Sequence, residues 1–241
     1  MLVKTKGIVL NTFRYGDDRL MVEMLTRESG RLTFSQRLLA SGRGRTQRQC
    51  LQPLTILDLE FDHRERLAVQ RLSSMTIFHP YSSIPFEERK ILMVMFLSEF
   101  LTNATRGERD CQMLFDFIEQ SLLWLDAAEK DYVNFHLVFM MRLTLFFGFS
   151  PNLDNFTEDS YFSLQDASFV PLPPPHPFFV RPEQASHIPA FLRMDYGSMG
   201  RISVSRQVRN WIADNIILFY KLHLPDFRQL KSLDVLREMA E

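Results

Sequence analysis

The chain has 241 residues, 46% hydrophobic and 24% charged, with 28 Lys+Arg against 29 Asp+Glu and a formal net charge of -1. These values exclude a disordered or fibrous chain and leave room for one large domain or two smaller ones, each with a buried core. With only Cys50 and Cys111, and no C-x-x-C, neither a disulfide framework nor a zinc site is readable, and a reducing compartment fits.

The opening stretch, MLVKTKGIVLNTFRYG, lacks the apolar core and cleavage site of a signal peptide. From Lys4 to about His79 short β-type runs alternate with turns. Ile8 to Leu10 and Phe13 lead to the turn Tyr15-Gly16-Asp17-Asp18, and Leu20 to Leu25 leads to Glu28-Ser29-Gly30, a hairpin turn with Gly30 at positive φ. Leu32 to Leu39, Leu54 to Phe61 and Leu67 to Ile77 bring the count to five strands, as in an OB-fold or another small barrel.

After Pro80 the apolar spacing becomes helical. Helices are expected over Phe86–Thr105, Arg109–Glu129 and Lys130–Phe147, the last closed by Gly148. The apolar run at 135–149 is shorter than the ~20 residues of a membrane span and contains Arg142. Residues 150–182 interrupt the pattern with PLPPPHPFFVRP, where proline forbids regular helix or central strand and predicts an irregular or polyproline-like excursion. Helix resumes at Ser205–Leu224 and again at Phe227–Met239. The fold class is therefore α+β: an N-terminal five-stranded barrel (1–80) followed by an α-helical domain (81–241).

No metal-ligand spacing links His63, His79, His136, His176, His187 and His223. There is no Walker A, G-x-G-x-x-G or G-x-S-x-G motif, so no enzyme is expected. The informative feature is basic. No Asp or Glu occurs from Ser29 to Leu57, while Arg31, Arg37, Arg43, Arg45 and Arg48 do. Period-two alternation in RLTFSQRLL puts Arg31, Thr33, Ser35 and Arg37 on one face and Leu32, Phe34 and Leu38 on the other. The loop SGRGRTQRQC then offers guanidinium forks suited to phosphate. Phe13 and Tyr15 are stacking candidates if they face outward. The competing reading is a solvated loop or ion pairs with acids of the helical region.

The Gly-Ile-Val-Leu strand, the Thr26–Arg31 hairpin, the arginine loop and Leu51-Gln52-Pro53-Leu54, followed near the end by Tyr220–Leu224 and Leu230-Lys231-Ser232-Leu233, resemble in order and spacing the RecO family of bacterial recombination mediators. The resemblance implies an OB-fold joined to a helical domain and a non-enzymatic role in the cytoplasm, at the nucleoid. It implies binding of single- and double-stranded DNA, strand annealing, and loading of RecA onto DNA coated by single-strand-binding protein, together with RecR. Involvement of RecF is left open. DNA binding would fall on Arg31, Arg37, Arg43, Arg45 and Arg48, with Lys4, Lys6 and Arg14 in addition. Contact with the acidic C-terminal tail of single-strand-binding protein would fall on the helical domain, with Arg142, Arg206, Arg209 and Lys221 as cationic candidates. A module binding only an acidic peptide is the alternative from another class. Many family members carry a four-cysteine zinc module after the third helix. Residues 151–181 contain no cysteine, so the excursion is expected without metal, packed instead by Tyr161, Phe162, Phe169 and Phe178.

Overall fold

The computed structural model describes residues 1–37, 48–109, 111–201 and 204–238. Five strands, β1 (Leu2–Tyr15), β2 (Arg19–Thr26), β3 (Gly30–Arg37), β4 (Ile56–Asp62) and β5 (Val69–Ile77), close into a barrel of order β1-β2-β3-β5-β4. All neighbours are antiparallel except β3 and β5, which run parallel through Thr33↔Val69 and Ser35↔Arg71. This is the Greek-key closure of an OB-fold. Alternate residues Val9, Leu20, Val22, Met24 and Phe34 point inward with Leu57, Leu59 and Phe61, and Phe34 meets Phe61 edge to face at 5.0 Å. Gly30 sits at φ 68 in the β2–β3 turn, where a Cβ would lie 2.7 Å from the Arg109 carbonyl oxygen. Any side chain there is excluded both by conformation and by space.

Two helices, α1 (Glu88–Ala104) and α2 (Gln112–Ala127), belong to the same compact unit as the barrel. The register of β1 shifts between Val9 and Asn11, and the Leu10 carbonyl at this bulge accepts the hydroxyls of Ser98 and Thr102, one turn apart on α1. A bulge that interrupts a ladder thus becomes the docking point of a helix. Arg27 grips Asp116 of α2 through two bonds of 2.7 and 2.9 Å. At the far end of α2, the Asp126 carboxylate accepts the backbone N–H groups of Ser82, Ser83 and Ile84 and the Ser82 hydroxyl. Burial works to raise the pKa of Asp126, but these hydrogen bonds prevail and hold it at about 2.

A segment from Gln229 returns to this first unit and carries its last helix, which is numbered below. The second unit, Ala128–Arg228, begins with α3 (Phe135–Phe147), closed by Gly148 in the left-handed region at φ 75. This helix starts later than its spacing predicts, because Asp131 has φ 64. Helices α4 (Pro182–Ala185), α5 (Ile188–Arg193) and α6 (Arg206–His223) follow. The excursion before them contains a small antiparallel sheet of order β7-β6-β8, made of β6 (Tyr161–Ser163), β7 (Ser168–Val170) and β8 (Phe179–Val180). Its prolines are compatible with a sheet because Pro171 to Pro177 lie between β7 and β8, and β8 is an edge strand. Phe162 and Phe169 are buried with Leu164, Val180 and Phe219, and Tyr161 lies against Phe179 at 5.7 Å.

The last described helix, α7 (Ser232–Glu238), is shorter than the sequence predicts. Its N-terminus is held by Glu99 of α1, which accepts the N–H groups of Lys231 (2.9 Å) and Ser232 (2.8 Å) and the Ser232 hydroxyl. A carboxylate at the amino end of a helix satisfies donors that have no partner within it. Burial opposes the Glu99 charge, yet these bonds leave its pKa below the usual value.

Candidate nucleic-acid interface

At the end of the β1–β2 hairpin Phe13, Arg14, Tyr15 and Arg19 are exposed, while Leu20 and Val22 point into the barrel core. On the outer face the register aligns three rows across the sheet. Tyr15 lies beside Arg19 and Arg37; Phe13 beside Met21, Ser35 and Arg71; Asn11 beside Glu23, Thr33 and Val69. Phe13 is 44% exposed and Tyr15 65%, so both aromatics point to solvent, as a stacking role requires. Arg19 reaches the Ser35 hydroxyl at 3.4 Å. Arg37, 79% exposed, has Asp18 at 3.3 Å. Two open side chains in water form a weak pair, so a phosphate can replace Asp18 at little cost. Arg71 is exposed and has no partner among the described residues.

The opposite face carries Thr12 and Arg14, in line with inward-pointing Val22 and Leu20. There the barrel rim opens into a groove of about 450 Å³ lined by Thr12, Arg14, Leu20, Arg48, Gln52 and Ser98, among others. Arg14 and Arg48 are exposed. Neither side chain has an acidic partner among the described residues. Thr12 donates to the Leu51 carbonyl at 3.2 Å and Gln52 to that of Arg48 at 3.0 Å, which form the floor of the groove.

The other expected residues lie elsewhere. Arg31 is only 14% exposed, paired with Glu23 at 3.1 Å and donating to the Thr102 carbonyl of α1. Lys6 is paired with Glu119 and lies 3.6 Å from the Phe78 ring centroid. Lys4 is near Glu60 at 3.6 Å. Lys4 and Lys6 are seven to eleven residues from Phe13 and Tyr15 along β1, about 23–36 Å at ~3.3 Å per residue. Arg43 and Arg45 lie outside the described residues. Sequence reading passed over Arg19 and Arg71. Arg19 is visible as the cross-hairpin neighbour of Tyr15, whereas Arg71 joins only through the parallel β3–β5 pairing.

In the second unit, the four candidate cations do not form one cluster. Arg209 donates to Asn134 (3.0 Å) and to the Val204 carbonyl, and Arg142 lies 5.9 Å from the Tyr196 ring centroid. Arg206 and Lys221 are exposed on α6 but fifteen residues apart, about 22 Å along the axis. His136 is buried and its pKa pushed down to about 3, by desolvation first and then by Arg209, so it is neutral at pH 7. A narrow apolar cleft is lined by Met141, Phe162, Phe191, Trp211, Ile216 and others.

Ser163, Asp166 and His176 come together here, but not as a catalytic triad. Ser163 donates to Asp166 (2.6 Å), and both lie on the Nε2 side of His176, at 3.3 and 3.7 Å. The other ring nitrogen, which a triad acid must hold, accepts the Phe178 N–H at 3.2 Å. Ser163 is also fully buried. The three residues clamp the proline-rich segment onto β6.

The barrel and helices match family models over nearly their whole length: residues 1–81 fit "Recombination protein O N terminal" and residues 88–234 fit "Recombination protein O C terminal". The chain belongs to the RecO family. It is 39% identical over 239 residues to the DNA repair protein RecO of Phocaeicola vulgatus, covering 99% of both chains. It is 38% identical to that of Bacteroides fragilis over the full length of both and 28% identical to that of Porphyromonas gingivalis, again over the full length of both. A role in recombinational DNA repair follows from this membership. The donor set does not fit the four-cysteine zinc module of many family members, because both cysteines lie outside residues 151–181. Among the described residues no helix is long and apolar enough to cross a membrane.

Proposed function

We propose that the protein is a DNA-binding recombination mediator that holds single-stranded DNA on the outer face of the hairpin and anneals complementary strands. Phe13 and Tyr15 stack on bases while Arg19, Arg37 and Arg71 take phosphates. The observation that carries this reading is the alignment of two exposed aromatics and three arginines on one sheet face. Stacking and phosphate contacts carry no sequence information, so this mode of binding is independent of sequence. Arg14, Arg48 and the loop residues Arg43 and Arg45 add phosphate contacts, and duplex DNA binds through the same cations. Arg31, Lys4 and Lys6 are secondary in this reading because each already has a protein partner.

Family membership supports action with RecR in loading RecA onto DNA coated by single-strand-binding protein in the cytoplasm. The apolar cleft of the second unit supports a further contact there, with the acidic C-terminal tail of that protein. Arg142, Arg206, Arg209 and Lys221 are the cations this reading assigns to that tail. No catalysis and no zinc enter the proposal.

Annealing requires two polyanions to approach, and arginines that displace counterions lower that barrier. With four or five phosphates neutralised on one strand, log K against log salt should slope near about -3. Replacing Arg19, Arg37 and Arg71 together by Ala should flatten it by about 2, at ~0.7 per phosphate. The measurement is titration of a labelled oligonucleotide at several salt concentrations. A folded triple variant that binds as tightly as the parent at low salt would refute the assignment. Replacing Arg43, Arg45 and Arg48 by Ala tests the loop in the same way.

A further inference from the structure

The end of the β1–β2 hairpin is continued by β3 as far as Arg37, a three-stranded ribbon whose outer face is exposed and whose other face reaches solvent at Arg14, and its two faces carry different cationic sets. Because successive side chains on a strand point to opposite faces, Phe13 and Tyr15 cannot serve the same strand of DNA as Thr12 and Arg14 without the DNA bending around the ribbon. On the outer face lie Phe13, Tyr15, Arg19, Arg37 and Arg71. On the other, Arg14 and Arg48 flank the groove, with no acidic partner among the described residues. The acids near the ribbon are Asp17, Asp18 and Glu23. Asp17 and Asp18 belong to the turn, Asp18 pairs with Arg37, and Glu23 is engaged by Arg31 and Asn11. Among the described residues no acid lines the groove.

We propose that each molecule has two separate single-strand sites, one on each face of this ribbon, and so holds two complementary strands at once. The outer site binds by stacking plus charge. The groove, which has no aromatic residue in its lining among the described residues, binds by charge and hydrogen bonding alone. Two strands on one molecule meet at an effective concentration set by their separation on the protein, far above that of free strands. The ribbon keeps them apart until they pair past its tip. This inference rests on the DNA-binding reading above.

The test is stoichiometric and uses the full chain. Oligothymidine of about 8 nucleotides, which cannot self-pair and falls within the ~4–16 nucleotides an OB-fold covers, is titrated at low salt and at concentrations well above its dissociation constant. The parent should bind two oligonucleotides per protomer. Phe13→Ala with Tyr15→Ala should leave one, held through Arg14 and Arg48 with a shallow salt slope of about 1.4, at ~0.7 per phosphate. Arg14→Ala with Arg48→Ala should also leave one, and the four substitutions together should leave no stoichiometric binding, only weak ionic contact with Arg19, Arg37 and Arg71. Annealing of complementary strands at nanomolar concentration should fall at least about tenfold in either double variant, although each still binds DNA. All four substituted residues, Phe13, Tyr15, Arg14 and Arg48, are exposed, so the unfolding midpoint should not move. One oligonucleotide per parent protomer, or loss of all binding in either double variant, would overturn the two-site proposal while leaving DNA binding intact. Absence of any binding by the parent would instead overturn the underlying functional reading.

Discussion

Replacing Asp126 by Asn should loosen the first unit in a way that vanishes on acidification. The carboxylate is 5% exposed and accepts three backbone N–H groups, at 2.8, 2.9 and 3.0 Å, from the segment that joins the barrel to α1. Its pKa falls from 3.8 to about 2. At ~1.4 kcal/mol per unit, the charged form contributes roughly 2 kcal/mol to folding. Because the folded pKa is the lower one, this contribution is complete above pH 3.8 and is lost as pH falls through about 2. For a unit of about 140 residues the penalty is a drop of about 4–8 °C in unfolding midpoint. Thermal unfolding of parent and Asp126→Asn, followed by circular dichroism from pH 7 to pH 2, gives the difference between them directly and cancels the titration of other carboxylates. The gap should be widest above pH 4 and narrow towards pH 2. A gap that stays constant with pH, or no gap at neutral pH, would refute the assignment of stability to the ionised carboxylate.

Glu99→Ala should release α7 without unfolding the barrel. Loss of charged hydrogen bonds worth roughly 2 kcal/mol should raise trypsin cleavage at Lys231 about thirtyfold, read by mass spectrometry. Phe169→Ala removes a buried ring that lies 5.0 Å from both Phe156 and Phe162. It should destabilise the second unit by about 3–5 kcal/mol in urea denaturation, whereas a strong chelator should leave the parent's unfolding curve unchanged.

The barrel was legible because its strands are long enough for period two to show and because Gly30 marks a turn that only glycine accommodates. The sheet in the second unit was not. Its strands have two or three residues, too few to display a period, and the prolines around them argue locally for coil. The outward direction of Phe13 and Tyr15 could only be posed as a condition, since alternation assigns opposite faces without naming which is buried. Arg31 shares a face with Arg37, and alternation stops there. What separates them is the helix covering one end of that face, whose Thr102 carbonyl is 71 residues away in sequence. Arg71 joins the site through a parallel pairing closed across more than thirty residues, and no local pattern encodes such a contact. The Lys-Ser pair before α7 was noticed as a motif, and its physical reason emerged only with the Glu99 carboxylate that holds it.

The return of the segment from Gln229 through α7 to the first unit has a consequence for the order of synthesis. As the chain emerges from the ribosome, the barrel, α1 and α2 are exported first, but the groups that satisfy Glu99 arrive only after a further stretch of about 100 residues has been made. Until then a half-buried carboxylate and the α1 surface that takes α7 stand uncovered. The second unit must therefore fold as an insertion into an unfinished neighbour, and the nascent first unit should be more open to proteases and chaperones than the finished one.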